Sequence, residues 1–240
     1  MVSKVIVKGE ITEYDGEEIT IKARFDNPYL LERREIEDVE IRLNDGRTIS
    51  NKQRRKIFAL VSDIGEYVSR IKNRAEYTEM LRELKLLYVI DAADNELIRR
   101  MLTINYCSLC DIDVFSLSDC DMTTAREFID WMIEKCIRFR IPCNDSLLDL
   151  CEDIGRYMYL CVANRICCIC GGKADIHEVE KVGMGGNRQK MHHTGQLVQP
   201  LCRLHHMEEE QLGQKAFNGK YHLQSIRLDK ELCKIIGWKQ

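Results

Sequence analysis

A chain of 240 residues with 45% hydrophobic content can bury a core, and more than one. A net charge of −3 gives no globally basic signature. No apolar run reaches the length of a membrane span, and Met1-Val-Ser-Lys leads directly into a strand pattern, so neither a membrane protein nor a secretory signal is expected. Twelve cysteines without such a signal point to thiols and bound metal in a reducing cytoplasm rather than to a disulfide scaffold. Charge is uneven along the chain. Residues 165–240 carry 12 Lys+Arg against 8 Asp+Glu, a modestly basic tail.

The first fifty residues alternate as antiparallel strands at Lys4–Lys8, Glu18–Lys22 and Val39–Leu43, with turns at Asp15-Gly16 and Asn44-Asp-Gly46. From Asn51 the period becomes helical, and Ile57, Leu60, Val61 and Ile64 form an apolar stripe behind the basic turn Lys52-Gln-Arg54-Arg55-Lys56. A second helix is predicted from Ala75 to Val89, burying Tyr77, Leu81, Leu84 and Tyr88. Asp113–Leu117 reads as a short extended segment. Thr124-x-x-Glu127 reads as a capping box that opens a helix ending before Pro142. A last helix from Ser146 to about Asn164 runs on without a Gly/Pro/Ser-rich linker. Cys107-Ser-Leu-Cys110 has ligand spacing but no second pair nearby, so buried thiols are expected there; Cys136 and Cys151 read as core.

The densest chemistry lies between Cys167 and Gly213. Cys167-x-x-Cys170 and Cys202-x-x-His205 are two pairs at metal-ligand spacing, enough for a closed tetrahedral Zn²⁺ site. A second set accompanies them. Asp175-Ile-His177-Glu178-Val179 alternates as a strand, while His206 and Glu210 are four residues apart and share a face if helical. A strand and a helix clamped together by zinc would bring these residues to a second, more open metal site. On the strand, Asp175 and His177 share a face and Glu178 points away. The acidic run Glu208-Glu209-Glu210 otherwise reads as a solvated helix face. The loop Gly183-Met-Gly-Gly-Asn187-Arg188-Gln-Lys190 lacks the ending of a nucleotide-binding P-loop, but its glycines permit close approach and Arg188 and Lys190 suit phosphate contacts.

This stretch resembles an HNH (ββα-metal) nuclease domain of the zinc-supported kind found in bacteriophage proteins. The shared pattern is Cys-x-x-Cys, a His-His pair, a Gly-rich loop, and Cys-x-x-(Cys/His)-His-x-x-x-His. The resemblance places His177 on the first ligand position, Glu178 on the general-base position, and His206 and Glu210 on the helix ligands of a catalytic Mg²⁺ or Mn²⁺. Asn187 or His193 falls on the central asparagine. Glu178 stands where the family usually has histidine, and Glu210 replaces a ligand histidine. Glutamate is the weaker base at neutral pH, so the base is left open between His177 and Glu178.

Further forward, Arg47-Thr-Ile-Ser-Asn-Lys-Gln-Arg-Arg-Lys56 leads into Phe58–Ile64, and Val114–Ser118 precedes a helix ending at Arg140-Ile-Pro142. That order is similar to the phage Orf/NinB recombination family of single-stranded-DNA-binding proteins. The two resemblances imply an α+β protein: β-hairpins and a helical, DNA-binding body over residues 1–164, then a zinc-stabilised ββα-metal domain over 165–240. They imply an HNH endonuclease acting on single-stranded or branched DNA in phage recombination, in the host cytoplasm. The alternative is a recombination mediator with a catalytically silent HNH-like unit. Lys52, Arg54, Arg55, Arg188 and Lys190 would meet DNA. A homodimer, a single-strand-binding protein and a recombinase are the implied partners, and no membrane is.

Overall fold

The computed structural model describes residues 9–24, 47–71, 74–86, 94–179 and 193–239. The chain divides into two compact units, Met1–Asn44 and Asp45–Gln240. In the first, β1 (Gly9–Tyr14) pairs antiparallel with β2 (Ile19–Ala23) around the expected Asp15-Gly16 turn. Asp15 closes that turn by accepting from the N–H groups of Glu17 and Glu18, and Gly16 takes the positive φ of 107° that the reversal needs. The expected strands at Lys4–Lys8 and Val39–Leu43, and the Asn44–Gly46 turn, lie outside the described residues.

The second unit is a helical body continuous with a small sheet. Helix α1 (Asn51–Ile71) buries Ile57, Leu60, Val61 and Ile64 completely, as its stripe predicts. It opens on a reciprocal cap: Ser50 Oγ accepts from the Gln53 N–H, and Gln53 Oε1 accepts from the Ser50 N–H. The second helix is shorter than expected. A 3₁₀ turn (Ala75–Tyr77) and α2 (Thr78–Glu83) stop where Lys85 turns left-handed and the Leu86 N–H returns to the Leu81 carbonyl. Helix α3 (Asn95–Cys110), capped by Asp94, is one that the sequence reading leaves unassigned. Asp113–Leu117 forms no strand.

Helix α4 (Met122–Phe139) starts two residues before the expected capping box, because Asp121 is the cap and Thr124 its partner. The predicted Ser146–Asn164 helix is two helices, α5 (Leu147–Leu150) and α6 (Ile154–Asn164). Asp153 caps α6, and between the two helices the Glu152 N–H is drawn to the Asp130 carboxylate.

The sheet comprises β3 (Asp175–Glu178), β4 (Leu197–Leu201) and β5 (Ile226–Arg227), antiparallel in the order β3-β4-β5. Helix α7 (Arg203–Leu212) leaves the end of β4, followed by α8 (Gln214–Tyr221); α9 (Lys230–Ile236) comes last. One apolar cluster joins α1, α3, α4 and α6 to Ile166, Cys168, Leu201 and Phe217. A second gathers Val162, Val198, Leu228, Leu232, Cys233 and Ile236. Buried Tyr157 donates its hydroxyl to the Cys168 carbonyl, and the Cys168 N–H reaches the Pro200 carbonyl. The 164/165 division expected from the sequence therefore runs through one compact unit.

The class is α+β, with helices and two small antiparallel sheets. No described helix is long and apolar enough to cross a membrane.

Candidate metal centre

The first site begins where α6 ends at Arg165, whose left-handed backbone turns the chain into a tight reversal. Ile166 bridges Lys173, the Cys167 N–H reaches the Gly172 carbonyl, and the Gly171 N–H returns to the Cys167 carbonyl. Gly171 supplies the positive φ, 68°, that lets Cys167 and Cys170 face one point. The other two groups come from the start of α7. Cys202 is its N-cap residue and His205 lies in its first turn. Nδ1 of His205 stands 3.4 Å from Cys167 Sγ and 3.2 Å from Cys202 Sγ, and the Cys170 and Cys202 sulfurs are 3.8 Å apart. A tetrahedron with Zn–S near 2.3 Å and Zn–N near 2.0 Å has edges of about 3.5–3.8 Å, so the donor set fits a four-coordinate ion.

Burial pushes the Cys167 thiol up to about 11, against backbone N–H groups of Cys170, Cys202 and Ile169 that pull it down. Burial acts the same way on Cys202, but there the His205 N–H and the neighbouring thiols win and the thiol is lowered. A thiolate at a helix N-terminus is the expected beneficiary of such donors.

The second site is built on the adjoining strand and the same helix. His177 on β3 lies opposite Gln199 on β4, while Ile176 turns into the second apolar cluster. One ligand atom each from His177, His206 and Glu209 lies within 4.8 Å of the other two. Nδ1 of His177 and Nε2 of His206 approach to 2.7 Å, with the rings edge to face. Each imidazole has a carboxylate near its far nitrogen. Glu209 Oε2 is 3.3 Å from His177 Nε2, and Glu210 Oε1 is 3.9 Å from His206 Nδ1. A carboxylate behind a ligating imidazole fixes its tautomer and leaves the other nitrogen's lone pair for a metal. Glu209 is buried and Glu210 exposed; the converging group takes in Glu209, while Glu210, to which the sequence points, stands beside His206.

Residues 24–239 match the nuclease family described as "Putative HNHc nuclease". The chain belongs to that family. No curated protein and no solved structure matches it. The HNH family match covers the helical body as well as the metal centre, whereas the HNH-like motifs lie only in the last third.

Other expected residues of this HNH chain are dispersed. Glu178 faces His193, with 3.7 Å between Oε1 and Nδ1; His193 also meets Gln196 at 2.9 Å and packs on the Trp238 ring. Asn187, Arg188 and Lys190 lie outside the described residues. On α1, Lys52 and Arg55 are exposed, whereas Arg54 leans on the Ser118 carbonyl. Cys107 is buried on α3 and Cys110 half-buried at its end.

The sequence reading missed what lies beneath His177. Gln199 is fully buried, and its amide donates to Asn218 Oδ1 at 2.7 Å. Gln214 donates to both of these partners, at 2.8 and 2.9 Å. Three amides thus bind α8 to the strand that supports the centre. The strand register was the available signal, since a polar residue inside the apolar run Leu197–Leu201 needs a buried partner.

Proposed function

We propose that this chain is a metal-dependent endonuclease that hydrolyses DNA phosphodiester bonds at the His177–His206–Glu209 centre. The observation that supports it is the convergence of two imidazoles, each with a carboxylate near its far nitrogen, beside a Cys₃His set that pins strand to helix. The chain order β3, β4, α7 is compatible with a ββα-metal reading. In this reading Cys167, Cys170, Cys202 and His205 hold a structural Zn²⁺, while His177 and His206 hold a catalytic Mg²⁺ or Mn²⁺. A divalent ion held there would polarise a phosphate oxygen and stabilise the leaving 3′-oxygen. The chain's own part is to orient both rings through Glu209 and Glu210 and to accept a proton from water. His177 and Glu178, both on β3, are the two candidate bases for that proton.

The finer reading, single-stranded or branched DNA in phage recombination with a homodimer, a single-strand-binding protein and a recombinase, rests on the Orf/NinB-like residues of the front part alone. Glu178 in place of histidine favours a second reading, a DNA-binding protein whose HNH-like unit is silent. Both are tested by incubating the protein with linear, gapped and branched DNA in Mg²⁺, Mn²⁺ or EDTA. Cleavage that needs the ion and disappears in His206→Ala supports the first. No cleavage by the unaltered chain, with activity gained in Glu178→His, supports the second.

A further inference from the structure

A cleft of about 500 Å³ lies away from the paired imidazoles, between the end of α4 and the Cys167–Lys173 reversal. One wall is the metal-binding turn itself, with Cys170, Gly171 and Gly172. Exposed Pro142 and half-buried Leu147 and Ile169 supply apolar surface on the lining. Two exposed cations line it as well, Arg140 and Lys173, against one lining carboxylate, Asp145. Among the described residues neither cation's side chain has an ion-pair or hydrogen-bond partner, in contrast to Arg165, whose guanidinium donates to the Ile236 carbonyl. The cations' backbones are nevertheless fixed. Arg140 closes α4 through N–H bonds to the Cys136 and Ile137 carbonyls, and Lys173 is bridged to Ile166.

We propose that this cleft takes one nucleotide of a nucleic-acid strand, its base on the apolar surface and its flanking phosphates on Arg140 and Lys173. Volume, chemistry and position all bear on this. The cleft lies within the roughly 300–1,000 Å³ typical of small-molecule sites, which is ample for a base and its sugar. Cations without partners bind phosphate without first breaking an ion pair, and side-chain-free glycines let a backbone approach the wall closely. The wall is also the turn that holds the ligands of the first metal site, so a strand seated here is held against the half of the unit that carries His177 and His206. The proposal rests on the nuclease reading for the identity of the polymer, and it adds a binding site separate from the hydrolytic centre.

The test is fluorescence anisotropy of a labelled single-stranded oligonucleotide across a salt series. It compares the full chain with the double variant Arg140→Asn, Lys173→Gln; asparagine tolerates the left-handed backbone at 140. With zinc content and melting temperature unchanged, affinity should fall by about tenfold, and the slope of log K against log salt should flatten by about 1.4, two contacts at about 0.7 each. In cleavage assays KM should rise while kcat holds. Equal affinity and an equal slope for the full chain and the variant would overturn the cleft and leave the nuclease reading standing. A full chain with no affinity for any strand would overturn both. A free nucleoside monophosphate that competes as tightly as the strand would overturn the strand as occupant.

Discussion

Three consecutive glutamates in α7 make three different contacts. Glu208 pairs with Lys220 and accepts from the Tyr221 hydroxyl, tying α7 to α8; Glu209 backs His177; Glu210 faces His206 from solvent. If Glu209 orients His177, then Glu209→Gln should weaken Mn²⁺ binding and cleavage by about 10- to 100-fold. Glu210→Gln, at an exposed site, should cost less than Glu209→Gln. Mn²⁺ titration alongside cleavage rates checks the order, and equal losses would remove Glu209's special role.

The thiols offer a second test. With its pKa raised to about 11, Cys167 in the metal-free protein is protonated at pH 7 and must lose that proton to bind zinc. Zinc affinity should therefore climb with pH from neutrality toward 11 and fall in acid. The heat of loading at pH 7 should vary with the buffer's ionisation enthalpy. Calorimetry in two buffers that gives one and the same heat would contradict this. The Cys₃His set was legible because ligand spacing is local in sequence. Glu209 was not, because a run of three acids on a helix leaves the inward one to be chosen by the strand opposite.

At the scale of elements, legibility followed how cleanly an apolar stripe continued. Helix α1 has an unbroken one and is legible. Helix α3 carries Thr103 and Asn105 on its buried side, satisfied by the Arg99 and Glu83 carbonyls, and those polar residues interrupt the pattern. The start of α4 differs from the sequence expectation because two residues compete for the cap. Thr124 satisfies the capping-box spacing, but Asp121 stands three residues earlier and accepts both from the Thr124 N–H at 2.8 Å and from its hydroxyl. Asp121→Ala should accordingly cost about 1 kcal/mol, and up to about 2, in urea unfolding. No change in the unfolding midpoint would return the cap to Thr124.

At the scale of the molecule, the question is whether residues 45–164 can stand without residues 165–240. Tyr157, Met158 and Cys161 of α6 belong to the larger apolar cluster, but the fully buried Val162 packs with Val198, Leu228, Leu232, Cys233 and Ile236, all beyond residue 164. The larger cluster also takes in Ile166, Cys168, Leu201, Phe217 and Leu223 from the same later stretch. Uncovering Val162 alone forfeits roughly 1.5–3 kcal/mol, and each further core residue lost adds to that. A domain's whole stability is about 5–15 kcal/mol, so a chain cut after Asn164 should unfold at a markedly lower urea concentration than the full protein, or fail to fold cooperatively. The same coupling predicts that stripping a metal ion from the Cys₃His set speeds hydrogen exchange along α6 as well as in the Cys167–Gly172 turn, since the Tyr157 hydroxyl and the Cys168 backbone join the two. Exchange that quickens in the turn and stays slow through Tyr157–Val162 would show instead that the helical body holds itself together.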